Sequence, residues 1–152
     1  MSKSPVVAKL AAILAESYTL YLQTQNFHWH VEGPDFQPLH SMFEEQYSEL
    51  AEAIDEVAER IRALGAVAPG SFAEFGQLSG FEIKTGVTSG PEMVAILLGH
   101  HRELIKTLRA GQQAAEQAGD QVSLDLLIKR EAVHSKTAWM LAALLGKVEE
   151  LG

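Results

Sequence analysis

The sequence predicts an all-α fold: four long helices in one bundle, with a single long crossover that contains a short extra helix. Three observations predict it. Strand-like alternation is almost absent outside a short segment at 81–87, apolar residues recur at helical spacing through four stretches, and the breaks between those stretches run short, long, short. At 152 residues, 47% of them hydrophobic, and with a mean hydropathy of +0.01, the chain has the size of one domain covering residues 1–152.

The first helix is expected over about 4–28, with Leu10, Leu14, Ser17 and Tyr21 along one face. A loop at Glu32-Gly33-Pro34 follows, after which Asp35 is placed to cap the second helix and Pro38 is tolerated near its start. That helix stops at Leu64-Gly65. Its stripe of Phe43, Tyr47, Leu50, Ile54, Val57, Ile61 and Leu64 alternates in fours and threes, the seam of a helical bundle. Residues 66–90 are rich in Gly and Pro and read as the crossover, with a short helix around Phe72, Phe75 and Leu78. Ser89-Gly-Pro-Glu92 is a capping box that opens a third helix through Val94, Leu97, Leu98, His101, Leu104 and Leu108 to about 118. Gly119-Asp120 ends it and caps the fourth, whose stripe of Leu127, His134, Leu141 and Val148 is filled out by Trp139, Leu144 and Leu145 as far as the C-terminus. One long crossover joining two helical pairs is the ferritin-like arrangement.

Composition narrows the chemistry. Without cysteine there is no disulfide, thiolate metal site, iron–sulfur cluster or cysteine nucleophile, so any metal is held by His, Asp, Glu or backbone. Apolar runs such as 10–15 and 93–99 are far shorter than the roughly 18 residues that cross a bilayer, and Lys9 interrupts any leader-like segment. The expectation is a cytoplasmic protein. Between Lys9 and Arg60 lie ten acids and no base, more than the whole net charge of −8. A block of one sign repels nucleic acid and attracts cations.

On the second helix His40, Glu44, Asp55 and Glu59 form a polar stripe beside the apolar seam, while Glu45, Glu49, Glu52 and Glu56 form a second, wholly acidic one. Imidazole with carboxylate suits Fe(II), Mn(II) or Zn(II). His40/Glu44 and Asp55/Glu59 are each one turn apart, yet His40 and Asp55 are separated by roughly 22 Å of helix rise and cannot share an ion in one chain. Either there are two sites, or a second copy, packed antiparallel about a two-fold axis, brings its Asp55 and Glu59 to this chain's His40.

The run Asn26-Phe-His28-Trp29-His-Val-Glu-Gly33, followed by Phe36, Leu39-His40, Phe43, Tyr47 and Asp55-Glu-Val-Ala-Glu59-Arg60, resembles the signature of the Dps proteins, bacterial mini-ferritins named as DNA-binding proteins from starved cells. Similarity continues through Asp125-Leu-Leu and His134-Ser-Lys136-Thr-Ala-Trp139-Met-Leu141. The resemblance implies that His28 and His40 of one subunit face Asp55 and Glu59 of a two-fold partner and bind iron there, with Glu44 as a further carboxylate and Trp29 beside the site. It implies a hollow homododecamer that oxidises Fe(II) with hydrogen peroxide, or dioxygen, and stores ferric mineral, protecting against oxidative stress. On that model Glu45, Glu49, Glu52 and Glu56 line the cavity, and Asp120 and Asp125 line three-fold pores.

Other histidines are set aside. Glu131-Ala-Val-His134 is a lone E-x-x-H where an intramolecular di-iron bundle uses two, and His134 is expected to pack on its stripe. His100 and His101 diverge by about 100° on a helix and His28 and His30 by about 200°, so neither pair chelates. DNA-coating members commonly carry a Lys-rich arm, whereas residues 1–5 hold one lysine and 148–152 two glutamates. Weak or no DNA binding is expected. Two rival readings remain: a nucleoid-associated DNA-binding protein with a secondary metal site, and a helical oligomer that holds zinc without turnover.

Overall fold

Among the described residues there are five helices: α1 (Pro5–His30), α2 (Phe36–Ala63), α3 (Phe72–Leu78), α4 (Gly90–Gln117) and α5 (Gln121–Leu144). This computed structural model describes residues 4–147. Local chemistry starts most of the helices. Ser4 Oγ accepts the Val7 N–H at 3.2 Å with Pro5 in the first turn of α1, Ser89 Oγ accepts the Glu92 N–H at 3.4 Å at the head of α4, and Asp120 accepts the Ser123 N–H at 3.0 Å at the head of α5. Asp35 departs from expectation. Its backbone sits at φ −98, ψ 19, away from the extended shape of a capping residue, and its side chain makes no cap bond. A tight turn replaces it, with the Phe36 N–H donating to the Gly33 carbonyl at 3.1 Å while Gly33 takes φ 108.

Ring contacts set Tyr21 against Tyr47 and His28 against His40, so α1 and α2 run antiparallel. His101 reaches His134, and Gln112 reaches the Leu127 carbonyl, so α4 and α5 do the same. α1 packs on α2, α3 and α4. It is long and apolar enough to span a membrane, but more than half of its most apolar 18-residue window is buried in the bundle, as in a core helix. Leu10, Leu14, Leu20 and Phe27 are fully enclosed and meet Phe43, Leu50, Val57 and Ile61 of the expected α2 seam. Each such side chain contributes roughly 1.5 to 3 kcal/mol of burial.

Three expectations are corrected. The fourth helix does not run to the C-terminus: it ends at Leu144, where Gly146 takes φ 72, and Val148 lies outside the described residues. Trp139 and Leu144 do not fill its stripe, being 52% and 55% exposed. The buried face is Ser123, Leu127, Arg130, His134, Ala138, Leu141 and Ala142, one residue and therefore about 100° away from the tryptophan. Among the described residues the 81–87 segment pairs with no second strand and is not one itself. The Lys84 peptide groups are taken by α1 instead: Gln23 Oε1 accepts the Lys84 N–H at 2.6 Å and Gln23 Nε2 donates to the Lys84 carbonyl at 2.9 Å. Just before it, Glu16 Oε2 accepts the Gly80 N–H at 2.9 Å.

Candidate metal centre

The last turn of α1 and the first turns of α2 bring His28 and His40 face to face, their rings 3.8 Å apart and 12° from parallel. Each ring is bonded to the other residue's backbone. His28 Nδ1 lies 2.6 Å from the His40 carbonyl and His40 Nδ1 2.7 Å from the His28 carbonyl. A carbonyl only accepts, so each imidazole carries a proton on Nδ1, and the neutral ring keeps its Nε2 lone pair for another partner. This is how a histidine is oriented for a metal ion, with the far nitrogen anchored. Helix architecture explains the arrangement. The His28 carbonyl lies in the last turn of α1, and Glu32, whose N–H would have closed that turn, donates to Thr88 at 2.9 Å.

Glu44 completes a partial donor set, with Oε1 at 3.8 Å from His28 Nε2. Phe36 stacks on His40 at 4.9 Å and Tyr47 meets His28 edge-on at 5.3 Å. His28 is buried while Glu44 is exposed, so the site opens outward. Asp55 and Glu59 lie four turns further along α2, both exposed and, among the described residues, without an ion-pair partner. Among the described residues no three metal-binding side chains converge within one chain. Two imidazoles and one carboxylate suit a divalent ion, but they leave its coordination incomplete. Trp29 is 59% exposed, and His30 is also exposed.

The acidic stripe is less uniform than its sequence suggests. Glu45, Glu52 and Glu56 are exposed. Glu49 is held in a two-pronged pair by Arg130, whose Nη1 meets Oε2 and whose Nη2 meets Oε1 at 3.0 Å. The Arg130 Nη2 also donates to His134 Nε2 at 3.0 Å. That fixes a relay of tautomers. With its Nε2 accepting, His134 carries its proton on Nδ1 and donates it to His101 Nδ1 at 2.9 Å. Burial first, then the positive potential of His100 and Arg130, pushes His101 down to about 3. Burial again leads in His134, which lies well below its ordinary value. This neutral pair is structural, as expected of His134. Glu131 turns away from it toward Arg109 at 3.0 Å and Gln112 at 2.7 Å.

Sequence reading missed Arg130. Its signal was present, because 127, 130 and 134 share the buried face, but an arginine is read as solvent-facing by default. Asp120 and Asp125 also have local partners. Asp120 bonds Ser123 and pairs with Arg60 at 2.9 Å, and these bonds outweigh burial to hold its carboxyl below the usual range. Asp125 pairs with Lys129 at 3.2 Å.

Two antiparallel helical pairs, one long crossover and a histidine pair at the α1–α2 corner define a ferritin-like bundle, and the family model described as "Ferritin-like domain" matches residues 7–151. DNA protection during starvation protein 2 of Bacillus anthracis is 33% identical over 142 residues, covering 93% of this chain and 97% of that protein. A Dps protein from Bacillus brevis superposes with a TM-score of 0.91 at 34% identity, covering 95% and 99% of the two chains. The Vibrio cholerae Dps protein, described as a member of a broad superfamily of ferritin-like diiron-carboxylate proteins, gives 0.90 at 30% identity, covering 92% and 88%. The chain belongs to the Dps family.

Proposed function

We propose that this protein is a cytoplasmic ferroxidase that takes up Fe(II), oxidises it with hydrogen peroxide or dioxygen, and stores ferric mineral inside a homododecamer. The observation that carries the reading is the reciprocal His28–His40 lock, which anchors each ring through Nδ1 and leaves two Nε2 atoms beside Glu44. Asp55 and Glu59 of a second copy complete the site, because no bend of α2 brings its own pair to His40. The Vibrio relative's description as a diiron-carboxylate protein supports iron as the substrate metal, and the carboxylates favour the ferric product through hard anionic ligation. Zinc is a surrogate in the same donor set. Of the cavity carboxylates, Glu45, Glu52 and Glu56 offer free oxygens to growing mineral, whereas Glu49 is neutralised by Arg130. Oxidation within the shell keeps Fe(II) and peroxide apart in solution and so limits hydroxyl-radical damage.

The test is anaerobic loading with Fe(II), then substoichiometric hydrogen peroxide, following ferric absorbance and peroxide consumption beside Asp55→Ala. Fast oxidation by the native protein and a loss of the fast phase in the variant, with assembly size unchanged, support both site and activity. Equal slow traces refute them.

A further inference from the structure

A cavity of about 190 Å³ lies between α2, α4 and α5, lined by Met42, Gln46 and Leu50 of the first, His101 of the second, and Val133 and Met140 of the third. Two buried atoms of these residues, His101 Nε2 and Gln46 Oε1, have no hydrogen-bond partner among the described residues. The tautomer relay decides what His101 offers. Its Nδ1 accepts the His134 proton, so its Nε2 carries the ring's own hydrogen and is a donor, which a metal ion cannot use. With its pKa pushed down to about 3, the ring donates without charge at neutral pH. A donor and an acceptor left over in one cavity call for a group that both accepts and donates, a hydroxyl. Exposed Glu45 on the rim disfavours an anion, and Leu50 and Val133 suit a hydroxyl carried on a short apolar body. Two of the chain's four methionines line the same cavity, and a thioether takes an oxygen atom from a peroxide in a two-electron step.

We propose that this cavity binds a small organic hydroperoxide and reduces it to the alcohol by oxygen transfer to Met42 or Met140, an activity that needs no metal. Gln46 Oε1 accepts the hydroperoxide's O–H. His101 Nε2 donates to the oxygen that bears the organic group, where negative charge gathers as the O–O bond breaks. The sulfur lone pair attacks the terminal oxygen, and the O–O electron pair leaves with the other oxygen. The oxygen now on sulfur gives its proton to water and the departing oxygen takes one from water, since the cavity opens to solvent beside exposed Met140. The products are methionine sulfoxide and an alcohol, with no electron left unpaired.

The experiment treats full-length protein, freed of metal by a chelator, with tert-butyl hydroperoxide. Sulfoxide at each methionine is followed by peptide mass spectrometry, and tert-butanol is measured on the same samples. The reference is the same protein unfolded in urea, where every methionine meets solvent alike. The expected result is oxidation of Met42 or Met140 several-fold faster in the folded protein than in urea, with a rate that saturates in hydroperoxide and one tert-butanol formed per sulfoxide, while fully buried Met93 is spared. Gln46→Leu, with its helical content checked by circular dichroism, should lose both the acceleration and the saturation. A cavity that holds only water gives rates linear in hydroperoxide and no faster than in urea, which overturns the proposal. Acceleration that survives in a folded Gln46→Leu overturns it as well. If that variant does not fold, saturation of the native rate in hydroperoxide decides alone. With no iron present, neither outcome bears on the ferroxidase reading.

Discussion

The Arg130–Glu49 pair makes an asymmetric prediction. Arg130 is 5% exposed, whereas the Glu49 side chain is 42% exposed. Removing the glutamate strands a guanidinium that water cannot reach, and breaking a buried pair in that sense costs about 3 to 5 kcal/mol. Removing the arginine leaves a carboxylate that water can solvate, and the remaining loss is the unsatisfied His134 Nε2, about 1 to 3 kcal/mol. Glu49→Ala is therefore expected to destabilise the protein more than Arg130→Met, in which the methionine keeps most of the aliphatic stem's packing. Urea unfolding followed by circular dichroism at fixed protein concentration and neutral pH compares the two. An Arg130→Met variant as unstable as Glu49→Ala, or more so, would refute the assignment of the arginine as the dependent partner.

Acid should weaken the fold through the buried histidines. His101 is pushed down to about 3 and His134 well below its ordinary value, while unfolded imidazoles take up protons near ~6.5, so the unfolded state binds more protons in between. Stability is then complete above pH ~6.5 and falls steadily toward pH ~3; denaturation midpoints across that range should fall less steeply in His101→Gln. Glu16 works in the other direction. Its burial raises the carboxyl, outweighing the hydrogen bonds from Thr107 and Gly80 that favour its charge, so charge on it is opposed at high pH. Glu16→Gln should raise the midpoint above neutrality and lose that advantage in acid, while an unchanged midpoint would show the carboxyl to be hydrated. Duplex DNA should give no gel-shift complex at neutral pH and moderate salt, given the net charge of −8 per chain, and a tight complex would restore the nucleoid reading.

Periodicity made the four long helices legible because each buries a continuous stripe, and a missed turn would have broken the pattern. The α2 seam from Phe43 to Ile61 is the clearest case. Periodicity reports a face only to within about one residue, which is why Trp139 was assigned inward when its neighbour Ala138 is the buried residue. The histidine pair was legible as a spacing, since residues 28 and 40 flank one short loop and are brought together by the hairpin itself. The carbonyl lock was not, because it depends on which helix-end groups lack partners. Arg130–Glu49 joins helices α2 and α5, 81 residues apart, and no local pattern encodes a partner at that range.

The crossover's attachments to α1 and to the turn just past it have a metric consequence. Glu16 and Gln23 on α1, and Glu32 two residues past its end, hold 80, 84 and 88 in the same order. Along a helix rising ~1.5 Å per residue Glu16 and Gln23 are roughly 10 Å apart, and the four crossover residues from 80 to 84 reach about 13 Å at full extension of ~3.3 Å each. The chain between those anchors has little slack, so the crossover climbs parallel to α1 and delivers α4 at a fixed height. Inserting or deleting one residue between the anchors shifts the upper marks by about 3.3 Å, more than the full length of a hydrogen bond. The sequence there can drift in composition far more readily than in length.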